Sequence, residues 1–245
     1  MNRVGKNEPT VGSRAKGVPS AARDIEAFVA AAQESAVGPR GRLVFALDAT
    51  MSRQPTWDIA ANLQAGMFDI AARAKGLDVQ LVFFRGHMEC RASRWVSDAR
   101  ALKVLMARIQ CQSGNTQIGR ILSHVAAETR LQSVNAVVYV GDALEESADE
   151  VLKEAGALGL LGVKAFMFHE GGDPVAGRVF NDIARLTGGA YLPFDTGSAQ
   201  ALGDLLGAIA AYASGGMSAL RALERDNAAG ARLLIARLGQ GGTER

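Results

Sequence analysis

Four short, nearly unbroken apolar runs set the terms for this chain: Leu43-Val44-Phe45-Ala46-Leu47, Val79-Gln80-Leu81-Val82-Phe83-Phe84, Ala136-Val137-Val138-Tyr139-Val140 and Val163-Lys164-Ala165-Phe166-Met167-Phe168. Each has the length of a strand, and none alternates apolar with polar as a strand with one wet face does. A strand buried on both faces needs covering elements on both sides. Between the runs lie longer stretches with apolar residues at helical spacing, and strands alternating with helices build a mainly parallel sheet. The expected class is therefore α/β: a doubly wound, mainly parallel central sheet with helices on both faces. Arg85-Gly86-His87 reads as a turn. Met88 to Ser93 then returns as one antiparallel edge strand.

The helical stretches follow in order. Pro55 opens a stripe of Ile59, Leu63, Met67, Ile70 and Ala71 that ends at Lys75-Gly76. A helix from about Ser97 carries Leu102, Leu105, Met106 and Ile109, and another begins at Thr116 with Ile118, Ile121, Leu122 and Val125. Ser147 caps a helix to about Leu158, and Pro174 to Leu186 forms the next. Thr187-Gly188-Gly189 leads to a last short strand, Ala190-Tyr191-Leu192, and a helix over Ala199 to Tyr212 closes the domain. Four segments result: a basic, Pro-bearing arm over 1–20 expected to be disordered, an N-terminal helix and linker over 21–40, the main domain over 41–213, and a C-terminal helix and tail over 214–245. After Ser214-Gly215-Gly216 a single helix presenting Leu220, Leu223, Leu234, Ile235 and Leu238 is expected to dock on the domain.

Composition closes off several classes. A net charge of +2 in 245 residues says nothing of an acidic or nucleic-acid partner. No stretch approaches the ~20 apolar residues of a membrane-spanning helix, and the polar start lacks the apolar core of a secretory leader. Cys90 and Cys111 are too few for a disulfide framework, and His87 with Cys90 finds no clear further ligands. Reduced structural thiols and a cytoplasmic location are expected. No Gly-x-x-x-x-Gly-Lys-Ser/Thr loop occurs, and no Gly-x-Gly-x-x-Gly follows a strand.

Open α/β sheets bind ligands at the carboxyl ends of their strands. Two runs end there in an aspartate. Asp48-Ala49-Thr50-Met51-Ser52 places a carboxylate and two hydroxyls at alternate positions of one loop, Thr116 adds a hydroxyl at a helix start, and Asp142 follows the most strand-like run. An oxygen-only ligand set with few charges suits a hard cation that keeps some of its waters, magnesium above all, with manganese or calcium as alternatives. Each residue has a plainer reading: Asp48 or Thr116 alone is a helix cap or a turn residue. Their ordered company at matching strand ends is what raises them.

This pattern, Asp48-x-Thr50-x-Ser52 with distant Thr116 and Asp142, resembles the metal-ion-dependent adhesion site of von Willebrand factor A (VWA) domains, of the intracellular bacterial type. The stretch Ile183 to Tyr191 resembles that family's closing helix and final strand, and the similarity spans roughly residues 40 to 213. The resemblance implies that Thr50 and Ser52 supply loop hydroxyls and that Thr116 binds the ion directly or through water. Asp48 and Asp142 would act largely through water. A partner protein's Asp or Glu would complete the coordination. Thr50 stands where the family usually has Ser. Met51 and Arg53 are bulkier than the family pattern, and an arginine there either weakens the metal site or helps hold an acidic ligand.

Arg53, Trp57 and His169 are the expected partner-binding rim, although core packing suits Trp57 equally. Glu145 and Glu146 read as the acidic first turn of the helix that follows, complementing its dipole. His124 reads as surface or packing. The leading expectation is a metal-dependent protein-binding module, not an enzyme, acting as an adaptor beside an intracellular complex such as an ATPase assembly. One alternative is a metal-dependent hydrolase or phosphatase with Asp48 as nucleophile; dehalogenase-type phosphatases carry a second aspartate where Thr50 stands, which speaks against it. The other is a metal-free structural or nucleic-acid-binding scaffold, for which no aromatic-interleaved basic patch is present.

Overall fold

In the computed structural model, which describes residues 40–54, 76–194, 199–226 and 228–240, strand β1 (Gly41–Asp48) runs through the middle of the sheet and is buried along its whole length. All these residues belong to the unit Pro39–Arg245, as distinct from Met1–Gly38. The basic arm, the N-terminal helix, the helix expected after Pro55, Trp57 and the last five residues lie outside them.

Around β1 the order is β3-β2-β1-β4-β5-β6, with β2 Leu77–Arg85, β3 Glu89–Ala92, β4 Ala136–Gly141, β5 Lys164–Glu170 and β6 Ala190–Phe194. Every pairing is parallel except that of β2 with β3. The expected class, including its antiparallel edge strand, is what the chain adopts.

Side chains of a strand alternate between faces, and here both faces are dry. Leu43, Phe45 and Leu47 join Val138, Val140, Phe166 and Phe168 in one core, covered by helix α1 (Ala99–Met106) and later by α5 (Ala199–Arg225) and α6 (Ala229–Gln240). Val44 and Ala46 join Val137, Tyr139, Ala165 and Met167 in the other, covered by α2 (Ile118–Leu131), α3 (Ala148–Leu160) and α4 (Pro174–Thr187). The apolar runs have no wet face because helices lie on both sides.

The chain leaves β1 for β2 on one side and later enters β4 on the other. Ligands of doubly wound sheets bind at such a reversal. Leu47 pairs with Val140, so Asp48 and the residues after Val140 emerge side by side at the carboxyl edge.

Several boundaries differ from the sequence expectation. α2 begins at Ile118, not Thr116, because Thr116 is held in a loop described below. Ile109 lies beyond α1, which ends at Met106, yet remains buried. The largest departure is at the C-terminus. Gly215 (φ −146°) and Gly216 (φ 63°) leave the helical region and divide α5 into two helical parts, where the sequence placed a break. A further turn at Asp226, which it did not place, separates the second part from α6. The stripe from Leu220 to Leu238 is thus divided between two helices that pack on each other. Gly230 allows their close approach, since a Cβ there would sit 2.2 Å from the Asp204 carbonyl oxygen. Leu220 and Leu234 are both sealed in the core. Among the described residues, no helix is long and apolar enough to cross a membrane.

Candidate functional site

β1 ends on Asp48, a fully buried carboxylate. Its Oδ1 accepts the Thr50 backbone N–H at 2.8 Å, while Oδ2 is buried with no hydrogen-bond partner. The chain then makes a single 3-10 turn over Met51–Arg53. That turn leaves Met51 and Ser52 exposed, keeps Thr50 buried and directs Arg53 inward. The Thr50 and Ser52 hydroxyls lie 3.0 Å apart, a pair of neutral oxygens leading from the interior to the surface.

Asp142 follows β4 on the neighbouring strand end, with its Oδ1 buried and also without a hydrogen-bond partner. Buried polar atoms are almost always satisfied, and these two bare carboxylate oxygens lie on adjacent strand ends. Burial pushes Asp48 up to about 6; hydrogen bonds from Thr50 pull it down, nearby Asp142 pushes it up further, and Arg53 counters.

Thr116 reaches the same edge from the loop before α2. Its N–H donates to Glu145 Oε2 at 2.8 Å, and its Oγ1 accepts from the Glu145 N–H at 2.9 Å. This reciprocal pair ties the Thr116 loop to the segment that begins with Asp142. Glu146 accepts from Ile118 N–H and Gly119 N–H, two donors that the first turn of a helix leaves unpaired. The glutamates therefore serve the start of α2, and not the first turn of α3, whose acidic residues are Asp149 and Glu150. A helix start carries partial positive charge whichever chain segment faces it, and here α2 faces the loop after β4. Gly114 completes the loop by lying against the β2–β3 hairpin, where a Cβ would come within 2.0 Å of the Gly86 carbonyl oxygen. Gln112 N–H donates to the Ala49 carbonyl at 3.0 Å, joining this loop to the first.

The expected rim is placed differently. Trp57 lies outside the described residues. His169 is 2 % exposed; Nδ1 meets the Tyr191 hydroxyl at 2.8 Å, the ring stands edge-on to Phe180, and Nε2 is buried without a hydrogen-bond partner. Strand alternation turns it onto the face of Ala165 and Met167, hence inward. Arg53 is 0 % exposed and ion-pairs through Nη1 with Glu170 Oε2 at the end of β5. Burial lowers the pKa of its guanidinium, while Asp142 and then Asp48 hold it up. Under the site lies Tyr139, its hydroxyl buried and without a hydrogen-bond partner, its pKa raised well above the ordinary value by burial first and then by Asp48, Glu146 and Asp142.

Among the described residues no three His, Cys, Asp or Glu side chains group as a metal cluster. A cation here would rely on two carboxylates and three hydroxyls. The two bare carboxylate oxygens and the neutral hydroxyls fit a hard divalent ion, and the buried carboxylates outnumber the one guanidinium among them.

The chain matches no protein-family model and no curated protein. Solved structures do match. A von Willebrand factor type A protein from Catenulispora acidiphila superposes with a TM-score of 0.58 at 16% identity, over 71% of this chain and 42% of that one. The vWF domain of the type V pili tip protein Mfa5 from Porphyromonas gingivalis gives 0.55 at 11% identity, over 71% and 96%. The SpRpn10 VWA domain gives 0.52 at 13% identity, over 64% and 89%.

The fold is that of a VWA domain.

In VWA terms, the loop after β1, the loop before α2 and the loop after β4 carry the five residues singled out from sequence. The hydrogen bonds above lace these loops together. Sequence reasoning missed Glu170 as the partner of Arg53, the turning of Glu145 and Glu146 to α2, and Tyr139 beneath the site. Glu170 carried one usable signal, an acid at the carboxyl end of a strand neighbouring β4. The others carried none, because their partners come from distant segments.

Proposed function

We propose that this VWA domain is a magnesium-dependent protein-binding module that recognises an acidic residue of a partner protein. On this reading it works in the cytoplasm as an adaptor, with an ATPase-linked complex as the expected setting. The observation that carries it is the pair of bare, buried carboxylate oxygens, Asp48 Oδ2 and Asp142 Oδ1, beside the Thr50–Ser52 hydroxyl pair at the carboxyl edge. Asp48 and Asp142 would hold the ion largely through water, Thr50 and Ser52 by their hydroxyls, and Thr116 directly or through water; manganese or calcium suits the same donors. When bound, the ion supplies an unsatisfied positive centre for an incoming carboxylate. The chain's own residues do the rest: Glu145 fixes the Thr116 backbone and hydroxyl, Asp48 Oδ1 fixes the turn that aims Thr50 and Ser52, and exposed Met51 offers an apolar contact beside the opening.

The test is a calorimetric magnesium titration of the wild type and of Asp48→Ala, with circular dichroism to verify folding. Saturable heat in the wild type that disappears in the variant supports the reading. No heat in either protein, or the same heat in both, sinks it.

A further inference from the structure

A charge is rarely sealed inside a protein, and Arg53 is sealed completely. Removing a guanidinium from water is costly, and more so when no carboxylate answers it. Carboxylates of the candidate site answer it. Glu170 is the direct ion-pair partner, and Asp142 and Asp48 act on Arg53 through their charges. The arginine reaches them because it ends the 3-10 turn that displays Ser52; its N–H donates to the Thr50 carbonyl at 3.1 Å. One turn thus sends hydroxyls toward the surface and a cation inward.

We propose that Arg53 is the site's built-in counter-cation: it holds the Asp48, Asp142 and Glu170 carboxylates together without a metal, and competes with a divalent ion for Asp48 and Asp142. Competition follows because a guanidinium and a metal answer the same excess of negative charge, and each repels the other. Glu170 moderates this competition. By drawing the guanidinium to the end of β5 it keeps part of the charge off the two aspartates, which leaves their bare oxygens able to take a second cation. The competition half rests on the proposed metal-binding reading. The counter-cation half does not.

The experiment uses the full chain with Arg53→Met, Arg53→Lys, Glu170→Gln and the double variant Arg53→Met/Glu170→Gln. Thermal melting is followed in EDTA and in magnesium, with calorimetric magnesium affinity alongside. In EDTA, Arg53→Met is expected to melt well below the wild type and Arg53→Lys between the two. The double variant is expected to recover part of the loss, because it removes a carboxylate left without its cation. In magnesium, Arg53→Met is expected to bind about tenfold more tightly or better, the size of effect one unit charge exerts through several ångströms of protein. Glu170→Gln is expected to bind more weakly, as the guanidinium turns to the aspartates.

A double variant no more stable in EDTA than Arg53→Met overturns the counter-cation role. Unchanged or weaker magnesium binding by folded Arg53→Met overturns the competition. If Arg53→Met does not fold, the comparison of wild type with Glu170→Gln and Arg53→Lys decides the same question, and equal magnesium affinities among these three overturn the competition. Rescue in EDTA with no magnesium binding by any variant would support Arg53 as the permanent cation while overturning the proposed metal dependence, so the two failures are distinguishable.

Discussion

A titratable side chain in the interior keeps whichever form costs less, and the two cysteines follow that rule as closely as the carboxylates. Cys111 is buried, and burial pushes its thiol up to about 11; Arg53 pulls the other way without prevailing. Cys90 on the edge strand is half-buried, and its thiol is also raised, again by burial. The thiolate is the reactive form, so at pH 8 Cys111 should alkylate on the order of a hundredfold more slowly than an ordinary thiol, and slower still for lack of access. Iodoacetamide labelling followed by peptide mass spectrometry should find Cys111 unmodified in the native protein and modified after unfolding in urea. The native rate should keep rising with pH through about 11, since the thiol deprotonates there. A Cys111 that labels at pH 8 as fast as in urea would mean this side of the site is open to solvent. Cys90 and Cys111 both stand as free cysteines.

Helix ends decide how the loops around the site are held. α4 is closed in cis: the Asp173 carboxylate accepts from Val175 N–H at 2.7 Å and Ala176 N–H at 3.2 Å, Pro174 follows it, and Gly188 ends the helix at a φ of 64°. All of those signals are local, which is why this helix was legible to within a residue. α2 is closed from another segment, by Glu146 on Ile118 and Gly119 and by Glu145 on Thr116. Glu146→Ala would leave two partly buried amides without a charged acceptor, and we expect a loss of about 1–3 kcal/mol in urea unfolding. Glu150→Ala, an exposed position in the first turn of α3, should stay within about 0.5 kcal/mol. Equal effects at the two positions would mean the glutamates act only through the dipole of α3. Sequence spacing could not separate these outcomes. Both glutamates lie within a turn's length of α3, and nothing local reveals which helix start faces them.

At the scale of the whole molecule, the last two helices complete the core on one face of the sheet. Leu220 on α5 and Leu234 on α6 are fully buried in the cluster that holds Leu43, Phe45 and Leu47. Leu234→Ala should therefore cost about 2–5 kcal/mol, with circular dichroism and fluorescence still reporting one cooperative transition. Two separate transitions, or a cost under about 0.5 kcal/mol, would mean the C-terminal segment is not part of this folding unit. The sequence by itself determined the class and the positions of β1, β2, β4 and β5, because a strand buried on both faces writes a continuous apolar run and its end is marked by the first polar residue. For the same reason it placed Asp48 and Asp142 at the carboxyl edge. Only the tertiary structure decided that Arg53 and His169 turn inward, that Glu170 meets Arg53, and that one apolar stripe serves two helices. Periodicity is a property of neighbours along the chain. Which buried charge faces which is set by strand order and loop paths, and these bring together residues from separate strands whose local patterns carry no record of one another.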